Sequence, residues 1–230
     1  MPGTDYEALQ NKQAELIRKS LKGSVFIASI DAGVPARLTD PSDSRLQTLP
    51  VGTPTPFAMP WGDLGFLSND GASYSSDVAS SDVTSWGSTG PTRSDITSDN
   101  STLTVVAQET KLMTIGLYTG ADLHADSAEA DGELIITKTD RPKAKNYRVL
   151  SVAVDEGDGG EIYIGRLLAR AKVNGKAEQA FGGGDDPIGW GVTFQGTKDS
   201  ALGFTERWFF GGPGWNALLV QMGFNAVVTP

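Results

Sequence analysis

A mainly β, predominantly antiparallel protein is what this sequence predicts, and three observations carry the prediction. Short runs rich in Val, Ile, Thr, Tyr and Phe recur along the chain. Twenty-eight glycines and twelve prolines punctuate 230 residues, with Ser, Thr, Asp and Asn gathered between the runs. Hydrophobic residues make up 39% of the chain, enough for a real core. No internal repeat or low-complexity linker divides it, so one domain spanning 1–230 is expected, with extensions at 1–22, 31–60 and 211–230.

Taken in order, Thr4 and Glu7 have the spacing of a capping box, and a helix over about 5–22 is expected to follow. Leu9, Leu16, Ile17 and Leu21 fall near one face of it, and Gly23 offers a stop. This makes an amphipathic arm that either packs on its own domain or docks on a neighbour, and Leu9, Leu16 and Leu21 are its candidate contacts. Residues 24–30 read as a first, buried strand. Half of the twelve prolines, Pro35, Pro41, Pro50, Pro54, Pro56 and Pro60, then fall within 31–60. Proline excludes helix interiors and central strands, so an extended loop or arm is expected.

The stretch 61–120 opens on Trp61-Gly62-Asp63-Leu64-Gly65-Phe66-Leu67-Ser68-Asn69-Asp70-Gly71. Asn69-Asp70-Gly71 is turn chemistry, because glycine accepts a positive φ. A Ser/Asp-rich strand over 74–86 follows, and Asp99-Asn100 reads as a second turn between strand-like runs at 93–98 and 102–108. A helix over 109–118 closes the block, which reads as an antiparallel meander plus one helix. Residues 121–132 form an acidic exposed loop without the ligand spacing of a calcium site. Strands are expected at 133–139, 147–154, 161–173, 188–195 and 203–210, with 155–160 a hairpin loop. After Gly211 the chain breaks from strand, and Trp215, Leu218 and Phe224 form an apolar tail that something should cover.

The ordered succession of Trp61 to Gly71, a Ser/Asp strand ending in Trp86-Gly87, and a helix start at Glu109-Thr110-Lys111 leading to Leu117-Tyr118-Thr119-Gly120 resembles the major tail (tail tube) proteins of long-tailed actinobacterial phages. The likeness covers roughly 24–214. It implies an antiparallel β-sandwich with one flanking α-helix, an N-terminal helical arm and long loop extensions. It also implies hexameric rings, closed by sheet continuing between subunits and stacked through loops and arms into a tube around a tape-measure protein. Tail terminator and distal tail proteins would be further partners. DNA would pass through the lumen without specific binding, and the protein would reside in the virion tail after assembly in the host cytoplasm. If the meander lines the bore, as the resemblance suggests, some of Asp77, Asp82, Asp95 and Asp99 face the DNA.

The remaining chemistry is thin. Zero cysteines exclude disulfides and thiolate metal sites, and a single histidine, His124, argues against zinc. His124 sits in a polar acidic loop with no G-x-S-x-G elbow in the chain, so no nucleophilic site is expected. Paired carboxylates such as Asp185/Asp186 and Asp155/Glu156 are ordinary loop features. The run Gly182-Gly183-Gly184-Asp185-Asp186-Pro187 lacks the spacing and the Lys-Ser/Thr of a phosphate loop. We therefore expect no catalytic residue, no cofactor and no metal. A net charge of -9 disfavours nucleic-acid affinity. No apolar stretch reaches the roughly 18 residues of a membrane span and no apolar leader is evident, so the chain is expected to stay in the cytosol. The alternative to a tube subunit is a carbohydrate-binding β-sandwich module, whose sugar platform would come from Trp61, Trp86, Trp190, Trp208 and Trp215.

Overall fold

The N-terminal segment shows how strand pairing overrides helical periodicity. The computed structural model describes residues 5–49, 60–124, 127–138, 140, 144–182, 184 and 187–225. Instead of a helix over 5–22 it has one turn of helix, α1 (Tyr6–Leu9), and a 3-10 turn at Ala14–Leu16, separated by extended residues. Thr4 lies outside the described residues, and Asp5 at the N-cap makes no side-chain capping bond. An amphipathic helix needs a surface to receive its stripe, and here the chain is held elsewhere. The Lys19 amide donates to Asp155 at 3.2 Å, Arg18 pairs with the same carboxylate at 3.4 Å, and the Leu21 amide donates to the Val154 carbonyl at 2.9 Å. Those contacts draw 18–21 into extended backbone that runs straight into β1 (Lys22–Ser29).

After a long loop, β2 (Gly62–Asp63) pairs with β1. The chain then forms β3 (Leu67–Thr84) and β4 (Pro91–Ala107), followed by α2 (Leu112–Thr119), which ends on Gly120 at φ 83°. The second half supplies β5 (Tyr147–Gly157), β6 (Gly160–Lys176), β7 (Trp190–Thr197), β8 (Glu206–Gly211) and α3 (Pro213–Leu218). Among the described residues all eight strands belong to one antiparallel sheet in the order β2-β1-β5-β6-β7-β4-β3, with β8 beside β6 off this path.

That sheet folds over on itself in the manner of a β-sandwich, and the fold line runs through β6. Tyr147 pairs with Ala171 but Val149 pairs with Leu168, so β6 carries one extra residue there. Such a bulge bends a strand and reverses which side chains face inward beyond it. On one side of the bend β6 pairs with β8 through 163–168; on the other it pairs with β7 through 170–176. The main core fills the fold: Val25 and Ile27 of β1, Val149 of β5 and Leu168 of β6 meet Leu103 and Val105 of β4 and Phe194 of β7, with Leu117 of α2 closing one end. A second cluster covers the other face of β5, β6 and β8, where Leu150, Val152, Tyr163, Leu167 and Phe209 pack against Leu38. The described part of the Pro-rich segment is thus fastened to its own domain, through Leu38, Val34 and Leu49 and an isolated bridge between Thr39 and Leu46. Pro50 and 51–59 lie outside the described residues.

Several expectations need correction. Asn69-Asp70-Gly71 is not a turn between strands but an irregularity inside β3, where the register shifts between Leu67 and Ala72 and Gly71 takes φ 61°. The positive φ was read correctly; its use is a bulge rather than a hairpin. Asp99-Asn100 is likewise interior to β4, paired with Val78 and Asp77. The real turn is at 85–90. Residues 133–138 form no strand despite Leu134, Ile135 and Ile136, because no ladder partner lies beside them. The loop expected at 155–160 shrinks to Asp158-Gly159, with Gly157 already paired to Gly160.

Candidate functional site

The most prominent surface feature is the hairpin of β3 and β4. β7 supports β4 only from Thr102 to Ala107. Residues 75–84 and 91–101 therefore form a two-stranded ribbon whose side chains are largely exposed on both faces, ending in Trp86, which is fully exposed. Isolated hairpins are marginal in water, and this one holds itself with side-chain bonds of its own. Ser76 donates to Asp99 at 2.8 Å, Thr97 donates to the Ala79 carbonyl at 3.1 Å, and Arg93 pairs with Asp95 at 2.6 Å.

The four acids proposed for a lumen do not share a face. Paired residues of an antiparallel ladder lie on the same side, and β3 alternates without interruption from Ala72 to Val83. Tyr74 pairs with buried Leu103 and packs against the main core, which defines the inner side; Val78 with Asp99, and Asp82 with Ser94, fall on that side. Asp77 with Asn100, and Asp95 with Ser81, fall on the outer side. The extra residue Thr97 in β4, where Ala79 pairs with Ser98 but Ser80 with Ile96, puts Asp95 opposite Asp99 in facing. The outer side continues across the sheet as a hydroxyl- and amide-rich surface. One row runs Lys172, Gln195, Thr102, Ser75; beside it Thr104 and Thr193 share a hydrogen bond of 3.0 Å.

Where the ribbon leaves the body, a polar cluster grips it from the opposite layer. The Tyr74 hydroxyl lies 2.7 Å from the Ser151 hydroxyl and donates to the Arg166 carbonyl at 3.3 Å. The Arg166 guanidinium sits between two rings, 3.8 Å from the centre of Tyr74 and 4.3 Å from that of Trp208, and makes a two-pronged ion pair with Glu206. Arginine satisfies such a site because its planar fork both stacks and bonds a carboxylate. Burial pushes the Tyr74 phenol up to about 12, although its bond to Ser151 and the Arg166 charge pull the other way. The cluster lies at the edge of an open cleft of about 890 Å³ between β1, β5 and the start of β3, with Glu109 and Lys111 on its rim. Glu109 is held below the usual carboxylate range by Lys111 and by the Phe66 amide, which donates to it at 2.6 Å.

The terminal candidates divide. Leu9 and Leu21 are exposed and Leu16 is half-buried, so among the described residues nothing covers Leu9 and Leu21. In the tail, Trp215 stacks on Phe210 at 5.1 Å and Phe224 lies 6.3 Å from Trp215, extending a row that begins at Trp208. Leu218 is half-buried in α3, and Gly214 packs so closely on the Gly160 carbonyl that a Cβ would lie 2.3 Å from it. The tail through α3 is therefore seated on β6 and β8, while Phe224 remains exposed. Residues 226–230 lie outside the described residues.

The other candidates do not converge. The five tryptophans make no single platform: Trp61 donates to the Gly33 carbonyl and Trp190 to Thr110, Trp86 tips the hairpin, and only Trp208 and Trp215 share a surface. His124 is exposed, with its amide donating to Ser127. Asp185 and Asp186 lie outside the described residues. Among the described residues no group of three or more acidic or histidine side chains is arranged to hold a metal, and no helix is long and apolar enough to cross a membrane. Sequence reasoning did not single out Arg166, Glu206 or Ser151, which come together only through tertiary pairing.

A folded-over antiparallel sheet with a projecting hairpin and exposed apolar side chains at Leu9, Leu21 and Phe224 defines a β protein whose prominent surfaces are edges and extensions. The chain belongs to the phage tail tube protein family, whose model matches residues 10–203, and is a structural subunit of the tail tube of a virion. This family is not a class of enzymes. No curated protein matches the chain.

Proposed function

We propose that this subunit closes into six-membered rings that stack into a tube, and that the outer face of β6, β7, β4 and β3 lines the bore through which DNA is delivered. The supporting observation is the hairpin: a ribbon exposed on both sides offers neighbouring subunits its faces and its unpaired strand edges. Its outer side continues a surface of Thr102, Thr104, Thr193, Gln195 and Ser75. Such a surface hydrates readily and offers phosphate little fixed positive charge, because most of its side chains are uncharged hydroxyls and amides. DNA then slides without specific binding. The repeated contacts are heterologous, which generates rings and filaments, and neighbouring subunits cover the free strand edges. The tape-measure protein would occupy the bore, and tail terminator and distal tail proteins would cap the ends of a tube assembled in the host cytoplasm.

Negative-stain microscopy of the purified protein over a range of concentrations tests this reading. Rings or tubes are expected, unaffected by a chelator and by His124→Ala, since no metal or catalytic residue takes part. A uniform small particle at every concentration, as a carbohydrate-binding module would give, overturns it.

A further inference from the structure

The grip on Tyr74 has a role beyond holding the fold together. Tyr74 is the outermost residue of β3 whose side chain reaches the opposite layer. Beyond it, every side-chain hydrogen bond described for 75–101 stays within the hairpin or at its turn. The grip is two-sided: Ser151 of β5 holds the hydroxyl, and Arg166 of β6 covers the ring while Glu206 and Trp208 of β8 fix the guanidinium. Both members of the ion pair are nearly buried, at 13% and 12% side-chain exposure, so the charges are little screened and their geometry is narrow. On either side of this point β3 and β4 are irregular, at Leu67/Ala72 and at Ala79/Ser80, where the ladder bends most easily.

We propose that Tyr74 is a positioning residue: clamped by Ser151 and by the Arg166–Glu206–Trp208 stack, it sets the direction in which the hairpin leaves the body. The ten residue-to-residue steps from Tyr74 to Thr84 span roughly 33 Å, so a rotation of about 10° at the root moves the tip by about 6 Å. Contacts at Trp86 are sensitive to that angle. The further step, that this angle governs how one subunit meets the next, rests on the tube reading above.

The chain has no cysteine, so two spin labels can be placed cleanly, at Ser88→Cys beside the tip and Asp158→Cys in the β5–β6 turn, both exposed. Pulsed electron resonance on dilute, unassembled protein should give one narrow distance distribution. Tyr74→Ala should broaden and shift it with the circular dichroism of the fold retained. Should Tyr74→Ala fail to fold, Tyr74→Phe and Ser151→Ala, which remove only the hydroxyl contact, should each broaden it to a smaller degree. A distribution already broad in the parent, or one unchanged in all three variants, overturns the proposal. Tubes from the broadened variants with unchanged rise and twist would overturn the further step. Absence of tubes from the parent counts only against the tube reading, because the distance comparison does not use them.

Discussion

Arg148 of β5 and Asp199 of the β7–β8 connection form a buried ion pair at 3.5 Å beside the bend of β6. Each also has backbone partners. Arg148 also donates to the carbonyls of Ile30 at 2.8 Å and Ala169 at 3.2 Å, while Asp199 accepts from the amides of Ala201 and Leu202. The pair thus ties the corner of the sheet to the loop that carries the chain from one layer to the other. Removing one partner strands the other charge without water. Asp199→Ala should destabilise the unassembled subunit by about 3–5 kcal/mol, measured by urea denaturation. Arg148→Met combined with Asp199→Leu should cost clearly less than the sum of the two single changes.

Alkaline pH should loosen the same body. Burial pushes the phenols of Tyr74 and Tyr147 up to about 12, with Asp122 adding to the effect at Tyr147. In the unfolded chain a tyrosine ionises near 10. The contribution of each is complete below pH 10 and is lost as pH rises towards 12, because only the unfolded form ionises readily. Melting temperature followed from pH 8 to 12 should fall over that window. Tyr147→Phe should flatten the fall, since its hydroxyl has no described partner and little is lost by removing it.

Much of this body was legible in the sequence. Apolar runs announced β5, β6, β7 and β8 to within a few residues, since buried strands leave little choice of side chain. The hairpin was misread at both of its supposed turns for the opposite reason. With solvent on both sides, Asp99 and Asn100 cost nothing inside a strand, so polarity no longer marks a turn. The helix expected over 5–22 failed because periodicity cannot report a missing surface, nor the pull of Asp155 on Lys19. As for the site, Ser151, Arg166 and Glu206 are brought together across β5, β6 and β8, and nothing local distinguishes them from other polar strand residues.

Opposite facing of the acids gives a directional test of the bore. Asp77→Lys places a cation on the Thr/Ser side, where passing phosphate would meet it once per subunit. Asp82→Lys places it on the inner side. DNA release should slow for Asp77→Lys, most at low salt, and change little for Asp82→Lys; equal effects would mean that the outer face does not line the channel.

Trp86 and Gly214 separate assembly from folding. Trp86 is fully exposed, so Trp86→Ala should leave the melting temperature unchanged while reducing tube formation seen by microscopy. Gly214→Ala must displace the backbone, because the new methyl would lie 2.3 Å from the Gly160 carbonyl oxygen. A loss of about 1–3 kcal/mol is expected, in the range of overpacked cores, and denaturation of the unassembled protein measures it.

The bend in β6 also dictates how the molecule comes apart. One continuous strand of seventeen residues is shared by both layers, paired with β8 before the bulge and with β7 after it. Neither layer can melt and leave the other intact, because each loss strips one edge of the same strand and opens the core between them. Unfolding of the body should therefore be a single cooperative event, and the amides of the hairpin beyond Tyr74 should exchange with solvent independently of it.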